Sequence, residues 1–124
     1  MVEVTDEQFQ EMINRAFAVL PKAHRQAIKN VAIIYADDPS PEQREKLNLQ
    51  GYQTLFGLYE GVPLARRNGA TNIYPPDKIT LFKGPLCRAA NTLDELQVEL
   101  HHTVWHEVAH YFGLNHTQIH ALEQ

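Results

Sequence analysis

A chain of 124 residues with 44% hydrophobic content is long enough for one compact domain, residues 1–124, that buries about two-thirds of the surface its unfolded form would expose. Its formal charge of −4 and pI near 5.9 leave no run of Lys and Arg long enough to track phosphates, which argues against a nucleic-acid partner. No stretch approaches the ~18 apolar residues of a membrane span, the N-terminus from Met1 to Glu7 is acidic where a secretory signal would be basic and then apolar, and the lone Cys87 suits a reducing compartment, so a cytoplasmic protein is expected.

The first element opens at Thr5, where Thr5-x-x-Gln8 forms a capping box ahead of Phe9, Met12, Ile13, Ala16, Phe17 and Leu20 at helical spacing. An amphipathic helix over 6–19 follows, and Pro21 starts a second short helical piece. Val31 to Tyr35 is a continuous apolar, β-rich run, read as a strand central in a sheet. Asp37 and Asp38, at its end and before two prolines, read as turn residues rather than catalytic carboxylates. Residues 41–48 are a solvated loop or a turn or two of helix. Thr54 to Glu60 reads as a second strand whose Gly57 marks a bulge or a close approach by another backbone. The segment Pro63 to Asp77 is loop chemistry, and its Arg66 and Arg67 are read as a solvated pair. Lys78 to Lys83 alternates as a third strand, stopped by Gly84-Pro85. A last helix opens near Thr92, with Thr92-x-x-Glu95 as its capping box.

That helix carries His106-Glu-Val-Ala-His110 and continues to Gly113 and His116, the pattern H-E-x-x-H-x-x-G-x-x-H. At about 100° per residue, His106 and His110 lie about 40° apart on successive turns, so two imidazoles converge on one ion. Glu107 sits about 60° further round from His110, placed to reach a water on that ion rather than to ligate it, which is the place of a general base. Gly113 tolerates positive φ, so it can end the helix and bring His116 back as a third ligand. Three histidines leave one tetrahedral position open, whereas structural zinc sites are closed by four ligands, often thiolates that a chain with one cysteine cannot supply. Chance, from this chain's own residue frequencies, gives on the order of 0.0001 occurrences of the whole pattern. Leu93, Leu96, Leu100, Val104, Val108 and Phe112 form an apolar face, extended by Val98, Trp105 and Ala109. His106 and His110 point away from it, alongside Glu95, Glu99 and Thr103. His24, His101, His102 and His120 are read as bystanders.

The motif resembles that of the zincin metallopeptidases, and its third histidine resembles the metzincin arrangement. More of the chain is similar to a small bacterial family of minimal zincin-like metallopeptidases: Asn30-Val31, the Asp38-Pro39 turn, Gly57 to Gly61, the strand at Ile79, and Val104 to Gly113. The resemblance implies an α+β fold with a three-stranded sheet packed on helices, one zinc at the H-E-x-x-H helix near the C-terminus, and hydrolysis of a peptide or protein substrate. That substrate would lie along a sheet edge, for which Leu55 to Glu60 is the expected strand. The chain departs from the pattern in two places. Its only methionines, Met1 and Met12, precede the motif, so there is no methionine turn, and the family more often has Asp where His116 stands.

Two other functions share these residues. Bacterial factors of ribosomal-RNA maturation have the same histidine spacing, but they lack a Glu beside the first His and carry a basic cleft, unlike this acidic chain. A zinc-binding module with little turnover is the other. Tyr111, beside His110, is read as packing rather than as an oxyanion donor.

Overall fold

The computed structural model describes residues 1–28, 30–61 and 77–113. Eight elements follow in order: α1 (Asp6–Ala18), α2 (Lys22–Ala27), β1 (Val31–Ala36), α3 (Pro41–Lys46), β2 (Gly57–Glu60), β3 (Asp77–Phe82), α4 (Lys83–Ala89) and α5 (Leu93–Tyr111). This is the α+β fold that the sequence implies, a small mixed sheet against helices. No helix among the described residues is long and apolar enough to cross a membrane.

Local chemistry accounts for most boundaries. Thr5 and Gln8 exchange both bonds of a capping box, as do Ser40 and Gln43 at α3, where Pro41 occupies the first turn. At α5 the Thr92 side chain accepts from the Glu95 N–H, but the Glu95 carboxylate accepts from the Asn91 N–H, one residue before the expected partner. Gly113 has φ +88 and donates its N–H to the His110 carbonyl, which ends α5 where the sequence placed the stop.

The sheet order is β1-β3-β2, with β1 parallel and β2 antiparallel to β3. This corrects the reading of Val31 to Tyr35 as central. The strand at Ile79 is the central one, with Ile79, Thr80, Leu81 and Phe82 all buried, whereas β1 is an outer strand with Ile34 42% exposed. An apolar run shows that a strand can be covered on both faces, not that a neighbour lies on both edges. The strand does end ahead of Gly84-Pro85, as read, but a helix not expected from the sequence also opens at that pair. It sits in the first turn of α4, where a missing proline N–H costs nothing, and the Gly84 N–H donates to the Asp37 carbonyl at 2.7 Å. Asp38 pairs with Arg88 of α4 on the surface, and Asp37 and Asp38 lie in a bend that follows β1.

Register aligns Ile33, Ile79 and Tyr59 in one row across the sheet, and Tyr35, Leu81 and Gly57 in the next. Alternation puts these residues on one face, and α1 and α5 pack there. Phe9, Met12, Ile13 and Ala16 meet Leu96, Leu100, Val104 and Val108 in a core that includes Ile79 and Leu81. Each large aliphatic fully buried there contributes on the order of 1.5–3 kcal/mol of transfer free energy. The expected apolar face of α5 holds along its centre, but Leu93 and Val98 are 54% and 63% exposed. On its other side Thr103, Glu107 and Tyr111 are buried as well.

Gly57 lets α5 come this close. A Cβ there would stand 2.7 Å from Thr103 Cγ2 and 3.3 Å from Glu107 Cγ, and Thr103 cannot swing aside cheaply, being β-branched and bonded through its hydroxyl to the Glu99 carbonyl at 2.7 Å. Gly57→Ala is therefore expected to cost about 1–3 kcal/mol in urea unfolding. Thr103→Ser, which deletes the methyl group in the way, should recover part of that loss. Strictly additive losses in the double variant would contradict the close approach.

Candidate metal centre

Helix α5 presents His106, Glu107 and His110 together. Their ligand atoms all lie within 4.8 Å of one another, the one such cluster of His, Cys, Asp and Glu among the described residues that could hold an ion. The two imidazoles stand with ring centroids 5.0 Å apart at 72° and are half-buried. Their spacing and donor type suit zinc, which favours imidazole nitrogen and accepts few ligands. His116, the expected third ligand, lies outside the described residues, as do His120, Arg66 and Arg67.

The cluster opens into a cleft of about 470 Å³. One wall is Thr54 to Gly57, the approach to and start of β2; the other is the α5 face bearing Glu99, Thr103, His106 and Glu107. His102, read as a bystander, also lines this cleft. His24 and His101 border a different hollow with Trp105 and Phe112, and His24 stacks on Trp105 at 5.8 Å. The ring of Tyr111 is buried edge-on against Tyr59, at 6.1 Å and 79°, as its packing role requires.

Glu107 differs from its neighbours in burial, with 7% of its surface exposed. Burial pushes its carboxyl up to about 7, and the Tyr59 N–H, donated to Glu107 Oε1 at 2.9 Å, pulls in the opposite direction. The donor is available because, among the described residues, β2 pairs with β3 alone. Phe56 accepts from Phe82 N–H in the antiparallel ladder, so Tyr59, three residues on, turns its N–H away from β3. A carboxyl poised near neutrality, one oxygen tethered and the other available for a proton, is equipped for general base and acid work.

Sequence reasoning found the two imidazoles and the carboxylate but not the β2 main chain that holds the carboxylate. The available signal was Gly57 inside an otherwise apolar strand. Nothing in the sequence marked Asp77, which is buried at the start of β3 and accepts from the Tyr59 hydroxyl at 2.5 Å.

The model of a family described as zincin-like metallopeptidase matches residues 28–124. No curated protein matches the sequence. Among solved structures, a conserved hypothetical protein from Thermo thermophilus is similar with a TM-score of 0.57 at 18% identity, covering 88% of this chain and 94% of that one, a likeness of fold.

The raised carboxyl ties stability to pH in the metal-free protein. Glu107 keeps its proton more tightly folded than unfolded, so its contribution is whole below the ordinary value of 4.5 and is lost as pH rises toward about 7. The difference amounts to about 3 kcal/mol at most. Glu107→Gln, which keeps an oxygen for the Tyr59 N–H, should gain on wild type as pH rises from 5 to 8 in urea unfolding. Parallel pH curves for the two proteins would contradict the burial of an ionisable carboxyl here.

Proposed function

The chain belongs to the zincin-like metallopeptidase family, and from that premise we propose that it is a zinc-dependent peptidase, a single catalytic domain that cleaves peptide bonds internally and works in the cytoplasm. The observation that carries this reading is the grouping of His106, His110 and a buried Glu107, with His106 and Glu107 in the wall of a cleft beside Thr54 to Gly57. His106 and His110, with His116, would hold one zinc ion per chain, and Glu107 would be the catalytic base. When bound, zinc supplies Lewis acidity, which polarises a carbonyl and makes water reactive near neutral pH.

The protein's own residues supply placement and proton transfer. An extended peptide would add beside Thr54 to Gly57 as a further strand, because these residues line the cleft and, among the described residues, β2 pairs only with β3. The scissile bond would then lie between those residues and the α5 histidines. Glu107, with Oε1 on the Tyr59 N–H, takes the proton of the attacking water on its other oxygen and returns it to the leaving amine.

Glu107→Gln preserves shape and the Tyr59 bond while removing the base. Wild type loaded with zinc should cut members of a mixed peptide library, read by mass spectrometry, and the variant should do so about 10²–10⁴-fold more slowly while retaining its zinc. A structured RNA cut equally by both proteins, with peptides untouched, would overturn the reading in favour of a nuclease. Full zinc occupancy without cleavage of either substrate would favour a metal-binding module. Metal analysis gives a separate check: His106→Ala with His110→Ala should abolish stoichiometric zinc, whereas loss of zinc on His120→Ala alone would contradict the ligand set.

A further inference from the structure

Tyr59 is held at both ends. Its N–H is donated to Glu107 Oε1 at 2.9 Å, and its hydroxyl is donated to Asp77 Oδ2 at 2.5 Å. The second bond is in the short range of a charge-assisted O–H to carboxylate contact. Asp77 is 1% exposed, and its own N–H is donated to the Asn30 carbonyl at 3.1 Å where β3 starts, so the acceptor is fixed to the central strand. The chain leaving β2 closes over it, since a Cβ on Gly61 would collide with Asp77 Oδ1. Between the two bonds the Tyr59 ring packs edge-on against Tyr111 of α5, the helix that carries Glu107.

A carboxylate is costly to bury without hydrogen bonds. Its place here coincides with a mechanical need. β2 has four residues and, among the described residues, a single ladder of main-chain bonds to β3 holds it along its edges. Its Tyr59 N–H must nonetheless meet a carboxylate on another element, and a displacement of about 1 Å at such a contact costs about 10²-fold in rate.

We infer that Asp77 is a positioning residue for Glu107: by holding the Tyr59 hydroxyl it fixes the outer strand so that the Tyr59 N–H orients the catalytic carboxylate. This rests on the reading of Glu107 as the proton-transfer group. Asp77 lines neither the cleft nor the path of the proton, and its effect on Glu107 passes through Tyr59.

Three variants test it. Tyr59→Phe keeps the ring and the main-chain N–H but deletes the hydroxyl. Asp77→Leu removes the acceptor, and Asp77→Asn keeps one. The first measurement is amide hydrogen exchange by NMR on the metal-free protein, with the Ile79 amide in the central strand as internal reference. Exchange at residue 59 should accelerate about tenfold or more in Tyr59→Phe and Asp77→Leu while Ile79 holds, and Asp77→Asn should return it toward the wild-type rate. The second is peptide hydrolysis by the zinc-loaded proteins, where the first two variants should lose kcat with KM nearly unchanged. Wild-type exchange at residue 59 in both disrupting variants would overturn the inference. So would acceleration shared in equal measure by Ile79, which is the signature of a merely structural aspartate. If exchange follows expectation and wild type cuts no peptide, the positioning of Glu107 stands and the peptidase reading falls.

Discussion

The close packing of α5 over Gly57 is the contact on which the rest of the site depends. With no side chain at that position, the helix settles against the outer strand until Thr103 and Glu107 fill the space a Cβ would have taken. That approach buries Glu107, brings it to the Tyr59 N–H, and makes Thr54 to Gly57 the wall facing His106. The same helix meets α1 and β3 through Leu96, Leu100, Val104 and Val108, so its position is fixed by the core before the site makes any demand on it. Site geometry is thus inherited from a rigid helix seated on a central strand, which is how precise constellations are generally held.

Burial of Glu107 sets two requirements against each other. Desolvation disfavours the charged carboxylate and costs stability at neutral pH, whereas a carboxyl near 7 is suited to accepting and returning a proton. One main-chain N–H relieves part of the cost and fixes the orientation at once. The donor is available because, among the described residues, β2 pairs with β3 alone and turns the Tyr59 N–H away from it. Strand edge and buried carboxylate are therefore one arrangement.

Much of this was legible in the sequence because it rests on local rules. Capping at Thr5, the helical spacing from Leu96 to Val108, the pair His106 and His110 one turn apart, and the stop at Gly113 depend on neighbours within a few residues, and all four appear where they were read. The choice of Leu55 to Glu60 as the edge beside the site also holds, although the strand itself begins only at Gly57. What failed was long-range or ambiguous in type. Val31 to Tyr35 looked central because it is apolar, yet strand order is decided by which segments pair, and the alternating Lys78 to Lys83 took the middle. From the sequence Gly84-Pro85 is read only as the end of a strand; the strand does end at Phe82, but the same pair sits in the first turn of α4, which was not foreseen. The Asp77 to Tyr59 contact joins residues 18 apart, with no periodicity to announce it.

Crystals of the zinc-loaded protein, measured on both sides of the zinc absorption edge, would test the central claim most directly. The account predicts one strong anomalous peak within bonding distance of a ring nitrogen of His106 and of His110, about 2.0–2.1 Å, with the Glu107 carboxylate outside the bonding shell and still accepting from the Tyr59 N–H. A peak bonded to Glu107, or one located away from α5, would contradict it.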